Sequence, residues 1–215
     1  MSVRQFYTFL TRNFPDLFNS QLTIERDQEY VQGLYMDLNS IIHDITKRLF
    51  RYDVKRELTP EDTLIQNYLR TLGVDNRAEL LYLCIGGYLT GAYKSIRPVE
   101  TFMISVSGVA PKAKINQQRI RRMGNKGSPV DYFDPVMISP GTKFMDRLEK
   151  YITIKWIETV RGIFDQNVDI VFSGHRDFGE AEHKIFHHLN RTEKEIRQKT
   201  VTNERVGHRR PIQVV

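Results

Sequence analysis

Cysteine is almost absent from this 215-residue chain, and the single Cys84 rules out any intramolecular disulfide framework. Within L-L-Y-L-C-I it reads as a small buried hydrophobe, which suits a reducing compartment. Long apolar runs are missing too. The longest uncharged stretch, Leu80 to Tyr93, falls short of the ~20 apolar residues that span a bilayer and reads as a core helix. Arg4, Arg12 and Asp16 interrupt the N-terminal region, so no secretory h-region forms there. Together these absences point to an intracellular protein, cytoplasmic or nuclear, with no membrane partner. Two familiar ligand signatures also fail. His183 and His187 stand one helical turn apart, but the glutamate of an H-E-x-x-H helix and a third ligand are lacking, so they read as a solvated pair. Gly86, Gly87 and Gly91 follow no strand and precede no Lys-Ser/Thr, which makes close helix packing their reading rather than a phosphate loop.

What the chain has is positive charge. A net charge of +6 and a pI near 9.4 favour phosphate-rich partners through steering and counterion release. The charge is concentrated in S-G-V-A-P-K-A-K-I-N-Q-Q-R-I-R-R, Ser107 to Arg122, directly after an apolar strand. If Pro111 opens a helix, Lys114, Gln118, Arg121 and Arg122 fall on one face. Three cations and an amide then meet at one point, a set suited to a terminal phosphate, because Arg forks onto phosphate oxygens and Lys acts as a point charge. A solvated basic helix fits the same spacing equally well.

Along the chain, Arg4 to Phe14 spaces Phe6, Phe9, Leu10 and Phe14 as an amphipathic helix stopped by Pro15. Tyr30 to Leu38 is apolar with Asp37 near its end, the profile of a buried parallel strand that delivers a carboxylate at its C-terminal edge. Asp37 could equally cap the following helix. Lys47 to Thr59 reads as a surface loop, and Thr59-Pro60-Glu61-Asp62 as a helix opening. Asp75 or Asn76 starts the next helix, and Thr101 to Val106 is a second buried strand. The turn formers after Arg122 mark a flexible connection. A helix follows from Ser139-Pro140-Gly141-Thr142 and carries its pattern through Trp156, a packing residue, to Phe164. Val168 to Phe172 is a third strand. Just beyond it stand Glu180 and Glu182, about 200° apart on an ideal helix, so they converge only if the preceding turn is irregular. Acids that merely complement the helix dipole are the other reading. His43 fits an ordinary helix face. From Asn190 onward apolar periodicity fades.

Five blocks, in one order, carry a family resemblance: R-Q-F-Y-T-F-L-T-R-N-F-P, L-Y-M-D-L-N-S-I-I-H from Leu34, the segment at Ser107, I-S-P-G-T-K-F-M from Ile138, and F-S-G-H-R-D-F-G-E-A-E-H-K-I from Phe172. In these the chain resembles the Xrn family of 5′-to-3′ exoribonucleases. The resemblance implies an α/β fold, an incomplete PIN-like core with a short, mostly parallel sheet flanked by helices. It would occupy residues 1–190, with 191–215 a polar, flexible C-terminal tail. It implies an RNA partner with a 5′ monophosphate held by Lys114, Gln118, Arg121 and Arg122, and His43 stacked on the terminal base. Asp37, Glu180 and Glu182 would be catalytic carboxylates holding Mg²⁺ or Mn²⁺. Two departures stand out. Ser107 replaces a family aspartate, and the later G-L-D-A-D type strand does not occur in these residues. The expectation is therefore a metal-dependent exoribonuclease module whose missing ligands come from a second chain or whose metal demand is reduced. The alternative is an inactive relative that keeps the phosphate pocket as an RNA-binding or structural protein.

Overall fold

Three apolar runs become parallel strands, β1 (Gly33–Asp37), β2 (Thr101–Ser105) and β3 (Asp169–Ser173); β2 and β3 lie within one residue of their expected places, and β1 starts three residues later than the apolar run from Tyr30. In the computed structural model the described residues are 6–13, 31–50, 59–124, 133–163, 167–202 and 213–214. The strand order is β3-β2-β1-β4, where β4 (Gln213–Val214) adds two residues in parallel beside Leu34 and Tyr35. The chain divides into two units, 1–30 and 31–215. In the first, α1 (Phe6–Asn13) ends with Arg12 in its last turn, where a cation complements the helix dipole.

In the second unit, strand alternation sorts the side chains to two faces. Leu34, Met36, Phe102 and Ile104 enter the main core, where α2 (Leu38–Phe50) and α4 (Val74–Ile96) supply Ile42, Phe50, Leu81, Ile85 and Leu89. Tyr35 and Met103 point the other way and pack with Ile185 of α8 (Ala181–Thr202). The sheet is thus covered by helices on both faces, as parallel sheets require. Among the described residues no helix is long and apolar enough to cross a membrane.

Local chemistry explains the helix ends. Thr59 caps α3 (Pro60–Thr71): its hydroxyl accepts from the Asp62 N–H at 3.2 Å, and the Asp62 carboxylate accepts from the Thr59 N–H at 3.1 Å, a complete capping box. Thr59→Ala should cost about 1 kcal/mol of stability, which a denaturant melt can read. Thr142 caps α6 (Lys143–Lys150) through the Met145 N–H. Beyond α6 the expected helix continues, but as a π-helical segment, Tyr151–Trp156, before α7 (Ile157–Val160). The wider turn brings Trp156 to α4, where its indole N–H lies 3.0 Å from both the Gly86 carbonyl and the Thr90 hydroxyl.

Of the three glycines read as packing positions, only Gly86 serves that purpose. A Cβ there would lie 2.7 Å from the Tyr151 hydroxyl, while Gly87 and Gly91 have nothing within 4 Å. The expected loop from Lys47 begins as helix through Phe50, and residues 51–58 lie outside the described ones. So do 125–132 of the expected flexible connection and 203–212 of the C-terminal segment, although α8 itself continues to Thr202.

Candidate functional site

The strands finish level. Asp37 pairs with Ser105, and Ser105 with Ser173, so all three strand ends reach one C-terminal rim, where parallel sheets place their ligands. Asp37 ends β1 and caps the helix that follows. Its Oδ1 accepts the Asn39 N–H at 2.9 Å and starts α2, while the carboxyl also faces the rim acids. Burial pushes its pKa up; the Asn39 hydrogen bond opposes this, and the negative charges of Glu182 and Glu180 add to it.

Beyond the rim, two loops are pressed together. The Gly108 N–H donates to Gly179 O at 2.8 Å, and the Gly179 N–H to Val109 O at 3.0 Å. Two serines grip the first residue of α8: Ser105 Oγ donates to Ala181 O at 3.2 Å, and Ser107 Oγ accepts the Ala181 N–H at 3.1 Å. Gly179 takes φ +100°, in the left-handed region that favours glycine. It makes the turn into α8 irregular just before Glu180. Glu180 precedes α8 and Glu182 lies in its first turn, so both act on Asp37.

Helix α5 (Lys112–Gly124) begins one residue after Pro111, whose carbonyl accepts the N–H groups of Lys114 and Ile115. Lys114 Nζ donates to Glu180 Oε2 at 2.8 Å, with side chains only 22% and 8% exposed. That bond holds Glu180 below the ordinary carboxylate range, with burial opposing it. Gln118 is partly buried on the same helix. Arg121 and Arg122 belong to α5 by backbone, but their side chains lie outside the described residues. His43 is partly buried within α2. The rim therefore brings Asp37, Glu180, Glu182, Ser107 and Lys114 together. An apolar pocket of about 360 Å³, lined by Leu34, Met36, Tyr88, Gly91, Ala92 and Ile96, shares none of these residues.

A family model described as XRN 5′-3′ exonuclease N-terminus matches residues 1–129 and 124–206. The chain belongs to this family. It is 29% identical over 210 residues to 5′-3′ exoribonuclease 1 of Schizosaccharomyces pombe, covering 90% of this chain and 14% of that protein. The protein of the same name in Saccharomyces cerevisiae is 29% identical over 231 residues, covering 93% and 13%. Its counterpart in Homo sapiens is 30% identical over 213 residues, covering 90% and 11%. The chain thus spans between 11% and 14% of the length of these relatives.

For a divalent ion, this XRN rim offers the right donor type and too few donors. Carboxylate oxygens suit hard cations. However, Glu180 is bound by an ammonium, Ser107 is occupied by an amide N–H, and among the described residues no three His, Cys, Asp or Glu side chains are gathered as a metal site.

Two rim residues lay inside the quoted sequence blocks without a role. Lys184 Nζ donates to Val106 O and Gly174 O, both at 2.7 Å, and so links the exits of β2 and β3. The sequence signal was a lysine in the first turns of a helix, where the dipole disfavours a cation unless something else holds it. His175 is 4% exposed. Its Nδ1 accepts the Gly141 N–H at 3.1 Å, which puts the ring hydrogen on Nε2, 3.1 Å from Asp146 Oδ1. His175 thereby joins the I-S-P-G-T and S-G-H blocks in space. His183 and His187 are exposed on α8.

Proposed function

We propose that this chain is the 5′-phosphate-gripping module of an Xrn-type 5′-to-3′ exoribonuclease, acting on RNA with a 5′ monophosphate. The observation that carries this reading is the meeting of α5 with the acidic rim, Lys114 Nζ against Glu180 at 2.8 Å. The cation lies beside carboxylates at the ends of three parallel strands, so a terminal phosphate on Lys114 and Gln118 would sit next to Asp37, Glu180 and Glu182. Arg121 and Arg122 follow Gln118 on α5 at the spacing that shares its face. His43 is assigned to the first base. A pocket sized to one phosphate selects the RNA end without reading sequence.

Mg²⁺ or Mn²⁺ at the carboxylates would supply an activated water and stabilise the leaving oxygen. The donors present are too few to hold such ions unaided, so no hydrolytic step is assigned to this chain alone. Further oxygen ligands from another segment or a second chain would complete the site. The second reading, an inactive RNA-binding relative, is favoured by one observation: Ser107 and Glu180 already hold Ala181 and Lys114.

The test compares 5′-phosphorylated with 5′-hydroxyl RNA in a fluorescence anisotropy titration. The phosphorylated RNA should bind tighter, and Lys114→Ala should remove roughly ten-fold or more of that preference, the size of a charge-assisted contact. Equal binding of both RNAs would sink the proposal. Incubation with Mn²⁺ and candidate partner chains then separates the two readings: degradation supports the nuclease module, and binding without degradation the inactive relative.

A further inference from the structure

Phe178 is 87% exposed, the most exposed large apolar side chain among the described residues, with Ile120 next at 71%. A single exposed apolar residue is ordinary by itself. What sets Phe178 apart is that the backbone on both sides of it is held. The Asp177 N–H donates to Gly174 O at 3.3 Å, and the Asp177 carboxylate accepts from Ser173 Oγ at 2.9 Å. On the other side Gly179 is paired with Gly108 and Val109. The ring is therefore displayed on a fixed turn, packed against the segment that leads from β2 into α5. Val109, whose carbonyl accepts the Gly179 N–H, is itself 62% exposed, and the exposed Lys112 follows three residues later.

We propose that Phe178 is a stacking platform for a base of single-stranded RNA whose end lies at this rim. The inference rests on the phosphate reading given above and adds a base contact to it. Glu180 is two positions after Phe178, a Cα distance of at most about 7.6 Å, and Glu180 Oε2 lies 2.8 Å from Lys114 Nζ. A strand with its terminal phosphate on α5 has a base within reach of the ring. Every base has a π face, so the platform adds affinity without reading sequence. The size of the patch selects the occupant. One phenyl side chain buries about 150–250 Å², enough for one base, whereas a specific protein interface needs roughly 1,000 Å² or more. The surrounding charge points the same way, since Lys112 and the other cations of α5 suit a polyanion.

The test is a binding titration of the full chain in EDTA with a 5′-phosphorylated and a 5′-hydroxyl adenine oligoribonucleotide. Phe178→Ala should weaken both by roughly five-fold or more, the effect of losing one stacked base. Phe178→Trp should bind as wild type or tighter, while Phe178→Leu, apolar without a π face, should behave like alanine. Tyr68→Ala removes an exposed aromatic from α3, which supplies no rim residue, and should change nothing. The Phe178 variants alter a surface side chain, so all should melt as wild type does. A single abasic nucleotide, moved through the first few positions, should weaken wild-type binding at one of them and cost Phe178→Ala little there. Stacking releases no counterion, so the slope of log affinity against log salt should be the same in wild type and Phe178→Ala, whereas Lys114→Ala should flatten it.

Unchanged binding by Phe178→Ala, wild-type binding by Phe178→Leu, an equal loss from Tyr68→Ala, or abasic penalties that Phe178→Ala leaves undiminished at every position would each overturn the platform. So would a concentration-dependent dimer, seen by analytical ultracentrifugation, that Phe178→Ala dissolves while RNA affinity stays as it was; the ring would then serve a second copy of this chain. If the wild type prefers the phosphorylated end and Phe178→Ala keeps both that preference and the wild-type affinity, the platform alone fails. If Phe178→Ala weakens binding but the wild type ignores the phosphate, the phosphate reading fails and the ring remains a base contact.

Discussion

Gly108→Ala should lower the melting temperature by roughly 6–12 °C, the equivalent of about 3 kcal/mol for a chain of this size. A Cβ at Gly108 would lie 1.7 Å from the Asp177 carbonyl oxygen, 2.8 Å from its carbon and 3.0 Å from the His175 oxygen. All three are backbone atoms, so no side-chain rotation relieves the clash. The loop after β2 must separate from the loop after β3. That would break the two hydrogen bonds joining Gly108 and Val109 to Gly179, each worth about 1 kcal/mol. Ser107 would also lose its hold on Ala181. Gly87→Ala is the matched control. Nothing lies within 4 Å of a Cβ there, and the position is exposed within α4, so alanine should stabilise by up to ~1 kcal/mol. Circular-dichroism melts of both variants check the pair; equal melting for Gly108→Ala and wild type would contradict the close approach of the loops.

The contrast between these glycines shows where sequence reading reaches its limit. Both stand in readable segments, but only the coordinates separate a glycine against a carbonyl from one facing solvent. The strands were legible because buried parallel strands are nearly continuous apolar runs, and Leu34–Met36 and Phe102–Ile104 are such runs. Thr59-Pro60-Glu61-Asp62 was legible because a capping box is local chemistry.

Local signals carry less at the site. Glu180 and Glu182 could be read as converging only on condition of an irregular turn, and the left-handed backbone of Gly179 just before them is an irregularity that no spacing rule supplies. The Lys114–Glu180 pair is invisible along the chain, since it depends on how α5 and α8 leave neighbouring strands. The π-helical segment was hidden for another reason: its apolar spacing imitates a continuing α-helix, and its wider turn is set by the packing of Trp156 on Gly86. β4 has two residues, too few for any period to register.

Lys184→Met should cost about 2–3 kcal/mol, a drop of roughly 4–12 °C in melting temperature. The lysine is partly buried, and its ammonium is shared between the carbonyls of Val106 and Gly174, residues that are themselves buried. Methionine fills a similar volume but donates nothing, so two buried acceptors lose their charged donor. Removing a desolvated charge offsets only part of that loss.

The pH dependence tests the assignment from another side. Burial is the main cause that sets Lys184 below the ordinary lysine value of 10.5. The unfolded chain therefore binds the proton more tightly than the folded one, and the linked stability is fully present above the unfolded pKa and lost as pH falls through the folded one. A neutral amine still has two N–H groups for its two carbonyls. The stability gap between wild type and Lys184→Met should accordingly widen as pH rises toward 10.5, measured by urea melts at a series of alkaline values. A gap that stayed constant would mean the ammonium is solvated and does not tie the ends of β2 and β3. The rim that positions Ser107, one residue after Val106, would then be held by the described glycine and serine contacts.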